Sequence, residues 1–374
     1  MPVQVIDSAI VQKGRLLPGI HGLRGIAATA VVLYHLEHLT KFKPPDLFVF
    51  IGRDFGFSVH LFFVVSAFSL MYSTESSITR KDWLFDYFTK RLFRIAPLFY
   101  FIVAFELSRQ LLFGGIVTKV LDIFLSLTFS FGAVPNSGFV WGGWSVGVEM
   151  IFYTIFPVLL LTIRTHRSAL FFLVISVFVS CTIRVALHEQ HIHSPTPGKW
   201  DWSYFSFAPN FCFFVMGISA YRFSKTLKAD AFIVKYIIPP VTTLLICTLF
   251  FANVRKYLYG GARLDIVVWG IAFSLLCLWQ SLNPTVIVAN KALEFLGERS
   301  FSIYLLHPII ITLIKPVNTY IYNYCEQLLG NYAFFACAVV TIGVILPVAE
   351  VTYRLIEIPG INLGRSLISQ RRSA

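Results

Sequence analysis

The stretch HGLRGIAATAVVLYHLEHL, His21 to Leu39, is apolar enough to enter a bilayer yet carries Arg24, His35, Glu37 and His38. An uninterrupted apolar segment of this length reads as a transmembrane helix. Ionisable groups are costly within such a helix, and they face the protein interior or a wet cavity rather than lipid. Arg24 and His35 stand eleven positions apart, which is three helical turns with about 20° left over. They therefore share one face, roughly 16 Å apart along the axis. Gly22 and Gly25 lie beside Arg24 and would let a second backbone approach there.

The rest of the chain extends that reading. Of 374 residues, 56% are hydrophobic and 13% charged, and 38 are Phe. Mean hydropathy is +0.72. A soluble protein would carry about a quarter charged residues, so recurring apolar runs and this deficit predict an all-α polytopic membrane protein. The alternating ten-residue segments of a barrel are missing. Charge, Pro and Gly bound ten expected spans near 20–39, 57–73, 93–113, 147–163, 168–187, 206–222, 232–252, 264–281, 300–314 and 333–353. The short apolar segment near 120–133 is expected to be re-entrant or interfacial. Met1 to Gly19 lacks the apolar core of a cleavable signal, so the first span is expected to direct insertion.

Lys and Arg concentrate in alternate segments, notably 80–94, 222–228 and 354–372, which places both termini in the cytoplasm by the positive-inside rule. The expected organisation is one membrane domain over 1–374, with a cytoplasmic segment at 1–19 and a cytoplasmic tail at 354–374. A net charge of +12 needs no nucleic acid, because inner-face cations beside anionic membrane lipids account for it. Six cysteines, mostly within apolar runs, show no CxxC or metal spacing. His188, His191 and His193 crowd a polar loop without a Cys beside them, and we expect no metal there.

Three further stretches carry chemistry. In KRLFRIAPLFY, Lys90 to Tyr100, Arg91 and Arg94 lie one turn apart and suit a grip on phosphate oxygens, although a basic cluster before a span also sets orientation. In WGGWSVGVEMIFY, Trp141 to Tyr153, Glu149 enters an apolar run and needs a partner, for which His35 and Arg53 are the candidates. In FLGERSFSIYLLHP, Phe295 to Pro308, Tyr304 and His307 share a face, where helix packing competes with substrate contact as their role.

These stretches, in this order, resemble the acyltransferase 3 family of integral membrane O-acyltransferases. Arg24 and His35 take the places of its R-x10-H motif, Arg91 and Arg94 those of its RxxR, and the two later stretches resemble its further signatures. The resemblance runs from about Leu17 to Pro359. It implies ten spans and transfer of an acyl group, usually acetyl, from acetyl-CoA or another short acyl-CoA to a hydroxyl of a saccharide or lipid-linked saccharide. A stand-alone membrane form in the bacterial cytoplasmic (inner) membrane is expected, and a homo-oligomer is compatible with the sequence. On this reading Arg24, Arg91 and Arg94 hold the donor phosphates, His35 is the general base oriented by Glu149, and Tyr304 or Ser145 faces the developing oxyanion. Direct attack and an acyl-histidine intermediate both remain open. The competing class is a transporter or flippase using Arg24 and His35 as a relay, against which stands the missing inverted repeat.

Overall fold

The computed structural model describes residues 17–114, 118–134, 137–193, 201–253, 255–258 and 260–373. The expected segment 1–19 lies almost wholly outside them. The principal helices are α1 (Pro18–Thr40), α2 (Ser58–Thr74), α3 (Trp83–Phe113), α4 (Trp144–Thr162), α5 (His166–His193) and α6 (Phe207–Thr226). They continue as α7 (Ile238–Phe251), α8 (Leu264–Leu282), α9 (Lys291–Glu298), α10 (Ser300–Leu313), α11 (Lys315–Leu329), α12 (Ala333–Thr352) and α13 (Ile358–Ser373). No strand occurs among the described residues.

Among the described residues, seven helical stretches are long and apolar enough to cross a membrane: Asp46–Ser77, Trp83–Phe113, Trp144–Thr162, His166–Ile192, Ile233–Phe251, Leu264–Leu282 and Lys315–Ser373. The protein is thus an all-α polytopic membrane protein. Three expected spans, α1, α6 and α10, are not among the seven. α1 carries Arg24, His35 and Glu37, α6 carries Asn210 and Arg222, and α10 has 14 residues. The same three helices are buried along most of their length, so their polar groups meet protein rather than lipid. The outer helices show the opposite pattern, with Phe171, Val174 and Phe178 of α5 and Leu244 of α7 exposed.

Close backbone approach sets the centre of the bundle. A Cβ at Gly22 would lie 1.9 Å from the Val288 carbonyl oxygen, and one at Gly25 would lie 2.5 Å from that of Leu293. Only hydrogen at these positions lets α1 lie against α9 and the turn before it. α1 also packs on α2, α8 and α10, while α6 packs between α2, α5 and α8.

Three expectations change in form. The segment near 120–133 is a helix over Val120–Leu127 followed by a 3₁₀ turn at Ser130–Ala133, which folds back onto α4. Eight helical residues reach about 12 Å, too short to span. α3 begins at Trp83, ten residues before the expected span, so Arg91 as well as Arg94 lies well within the helix rather than at its end. The expected tail is helical through Ser373: α13 lies along α3, with Gly364 against Phe93 and Gly360 against Pro97. Cations at its end meet acids at the start of α3, Arg371 with Asp82 at 3.4 Å and Arg372 with Asp86.

Candidate active site

The predicted site residues gather at two neighbouring cavities of the helical bundle. The larger, about 820 Å³, is lined by Tyr34 and His35 of α1, by the far ends of α3 and α10, by Trp141, Gly142 and Trp144, and by Tyr204 and Phe205. The smaller, about 70 Å³, is lined by Arg24 of α1, Ser66 and Ser69 of α2, Arg91 and Arg94 of α3, Ser145, Glu149 and Tyr153 of α4, and Ser300 and Tyr304 of α10. Because α1 is one unbroken helix, Arg24 reaches the smaller cavity and His35 the larger. The wall between them includes a hydrogen-bonded run in which Ser145 Oγ donates to Tyr304 Oη at 2.7 Å and Tyr304 Oη donates to the Gly142 carbonyl at 2.9 Å.

Three guanidiniums from two helices meet in the smaller cavity. Arg24 Nε donates to Ser300 Oγ at 3.3 Å. Arg94 donates from Nη2 to the Glu298 carbonyl at 3.3 Å and pairs through Nη1 with Glu357 at 3.2 Å. Arg91 Nε is buried and has no hydrogen-bond partner among the described residues. An orphaned buried donor beside two further guanidiniums is an environment that favours an anion.

Glu149 departs from expectation. Its carboxylate accepts hydrogen bonds from Ser66 and Tyr153 and lies in the smaller cavity, not against His35. One turn beyond Ser145 on α4, it points toward the Arg24 end of the bundle. Arg53, the other candidate partner, donates to Asp54 and to the carbonyls of Leu249 and Phe250. The ring that meets His35 is His307 of α10, whose Nε2 lies 3.1 Å from His35 Nδ1. The same Nδ1 lies 3.0 Å from the Val31 carbonyl. With the Nδ1 proton donated to that carbonyl, which can only accept, Nε2 is left as the basic nitrogen.

Tyr304 and Ser145, the two candidates for facing the oxyanion, are hydrogen-bonded to each other, and their protons are committed. Each hydroxyl has one proton to give, and the run to Gly142 uses both. The pair therefore braces the turn carrying Gly142, which has φ +74°. Tyr304→Phe is expected to lower turnover about tenfold through loss of that brace. A loss of 100-fold or more in initial rate would instead indicate an oxyanion donor, whose removal costs on the order of 10²–10³.

His307 was visible in the sequence as Tyr304's neighbour, but its pairing with His35 joins residues far apart in the chain. Glu357 went unnoticed, and the signal for it was a lone acid in the apolar run after Glu350. The three histidines expected in a polar loop belong instead to the end of α5, where His188 faces Asp201 at 3.8 Å; the side chain of His193 lies outside the described residues. No group of three potential metal ligands occurs among the described residues.

Comparison with known proteins bears on this arrangement. The chain is 24% identical over 394 residues to "Putative O-acetyltransferase SAR0937" of Staphylococcus aureus, covering 97% of this chain and 60% of that protein. It is 25% identical over 392 residues to "Putative peptidoglycan O-acetyltransferase YrhL" of Bacillus subtilis, covering 96% and 57%. It is 26% identical over 376 residues to "O-acetyltransferase OatA" of Staphylococcus aureus, covering 92% and 57%. The chain thus spans about three fifths of the length of these relatives. No solved structure matches it. Residues 17–350 match the acyltransferase 3 family, described as an acyltransferase domain, and with the R-x10-H pair, the RxxR pair and Tyr304 all lining these two cavities, the chain belongs to that family.

Proposed function

We propose that the protein is a membrane O-acetyltransferase that takes its acyl group from acetyl-CoA or another short acyl-CoA and gives it to a hydroxyl of a cell-envelope saccharide, free or lipid-linked. The observation that carries this reading is the division of labour along α1, with Arg24 in a cationic cavity and His35 in a larger one beyond a thin wall. Ten spans with both termini cytoplasmic, in a bacterial inner membrane, would put the donor site at the inner face and His35 in the outer half. Arg24, Arg91 and Arg94 bind the anionic part of the donor, and its arm extends along α1 toward Tyr304. The acceptor occupies the larger cavity, whose aromatic walls suit sugar rings.

In the proposed reaction, His35 Nε2 takes the proton of the acceptor hydroxyl as its oxygen attacks the thioester carbonyl. The tetrahedral intermediate collapses, the carbon–sulfur bond breaks, and the departing thiolate takes the proton back from the imidazolium. Atoms and charge then balance without a metal. His307 and the Val31 carbonyl hold the tautomer this step needs. Glu149, placed among the cations, balances charge in the donor cavity.

The test is thermal stability of the detergent-purified protein with and without acetyl-CoA, beside Arg91→Ala/Arg94→Ala. A ligand that binds only the folded state stabilises it by about 2.7 kcal/mol at 100 times its dissociation constant. A rise in melting temperature in wild type that vanishes in the double variant is expected. No rise with any acyl-CoA would sink the donor assignment.

A further inference from the structure

We propose that Glu357, beyond the residues matched to the family, is a positioning residue of the donor cavity, fixing the Arg94 guanidinium for an anionic ligand. This inference rests on the donor reading above. Glu357 is completely buried. One carboxylate oxygen accepts from Ser302, which in turn accepts from Thr352 Oγ1 at 3.1 Å, and the other lies 3.2 Å from Arg94 Nη1. Arg94 itself lines the cavity with Arg24 and Arg91.

The backbone is arranged to deliver this carboxylate. Along α12 the buried positions run Thr341, Ile345, Ala349 and Thr352, at the three- and four-residue steps of an α-helix. The next buried residue is Glu357, after a step of five, and regular spacing then resumes through Gly360, Gly364 and Ile368. The long step coincides with a π-helical turn over Tyr353–Glu357. One extra residue in a turn rotates everything after it by about 100°, and such turns recur at functional sites. Without it, the face that carries Glu357 and the glycines of α13 would be turned about 100° away from the buried face of α12.

A guanidinium is a planar fork, so anchoring two of its nitrogens fixes the direction of the remaining N–H groups. Glu357 draws Nη1 by charge at 3.2 Å, without a hydrogen bond to that oxygen, and the Glu298 carbonyl accepts from Nη2. Among the described residues nothing else engages Arg94, and its side chain remains 23% accessible. The carboxylate thus orients a cation without occupying its open edge.

The experiment is a double-mutant cycle in the detergent-purified full chain, reading the dissociation constant of acetyl-CoA by thermal shift. Glu357→Gln keeps an acceptor for Ser302 and removes only the charge. It is expected to weaken binding about tenfold in wild type and not at all in the Arg94→Ala background, because residues acting as one unit are not additive. Glu357→Asp, which keeps the charge on a shorter arm, should lose about threefold, again only when Arg94 is present, and carries the cycle alone if the glutamine variant does not fold. Melting temperatures without ligand check folding. Unchanged binding in both backgrounds, or equal loss in both, would overturn the role of Glu357 while leaving the donor site intact. Failure of wild type itself to bind acetyl-CoA would overturn the donor reading, and this inference with it.

Discussion

Replacing His35 with alanine is expected to lower acyl transfer by about 10³-fold or more while the variant still binds acetyl-CoA. General base catalysis by a positioned side chain contributes typically 10²–10⁴-fold. His35 is the one imidazole in the larger cavity with its Nδ1 tied down by a carbonyl, so no neighbour can substitute for its Nε2. His307 is fully buried behind it and reaches His35 rather than the cavity. Donor binding should survive, because Arg24, Arg91 and Arg94 line the other cavity. The measurement is transfer of labelled acetyl from acetyl-CoA to envelope saccharide by membranes holding equal amounts of each protein, beside the thermal shift with acetyl-CoA. His35→Ala retaining transfer within tenfold of wild type would remove the base assignment.

The sequence made the helical membrane architecture legible because lipid is a demanding solvent. It admits long apolar helices, and charge marks where they end. Among the ten expected spans, α1, α6 and α10 are the ones that polar side chains or short length remove from the helices long and apolar enough to cross a membrane. Those helices are the ones that build or support the site, since polar groups in a bilayer survive only inside the bundle. The co-location of Arg24, Arg91 and Arg94 was likewise legible, because helix ends at one side of a bundle share a leaflet.

What escaped were the pairings. Periodicity tells which residues share a helix face, not which helix that face meets. Glu149 and His35 each had a polar partner waiting elsewhere, Ser66 with Tyr153 for the one and His307 for the other. The carboxylate was expected at the imidazole because both were thought to lie near the outer end of the bundle. Glu149 instead lies one turn deeper than Ser145, on the Arg24 side of the wall. Glu357 was hidden for a different reason, since a π-helical turn breaks the periodicity that face assignment relies on.

Gly22→Ala is expected to be strongly destabilising, and Gly343→Ala nearly silent. The added Cβ at Gly22 would stand 1.9 Å from a backbone carbonyl oxygen and 2.8 Å from its carbon, neither of which can rotate away. At Gly343, in α12, nothing lies within 4 Å. Overpacking typically costs 1–3 kcal/mol, and a rigid backbone neighbour puts Gly22 near the upper end, about 3 kcal/mol. Exposed helical Gly→Ala instead gains roughly 0.5–1 kcal/mol from propensity alone. The consequence at Gly22 is functional as well as structural. α1 bears Arg24 and His35, and the segment it would push away leads directly into α10, which bears Ser300, Tyr304 and His307. Separating them lengthens both the Arg24–Ser300 and the His35–His307 contacts, so donor binding and transfer should fall together in the protein that does fold. Melting temperature, acetyl-CoA shift and transfer rate for the two alanine variants decide it. Equal stability of the two would mean that the glycines of α1 do not set the approach on which both cavities depend.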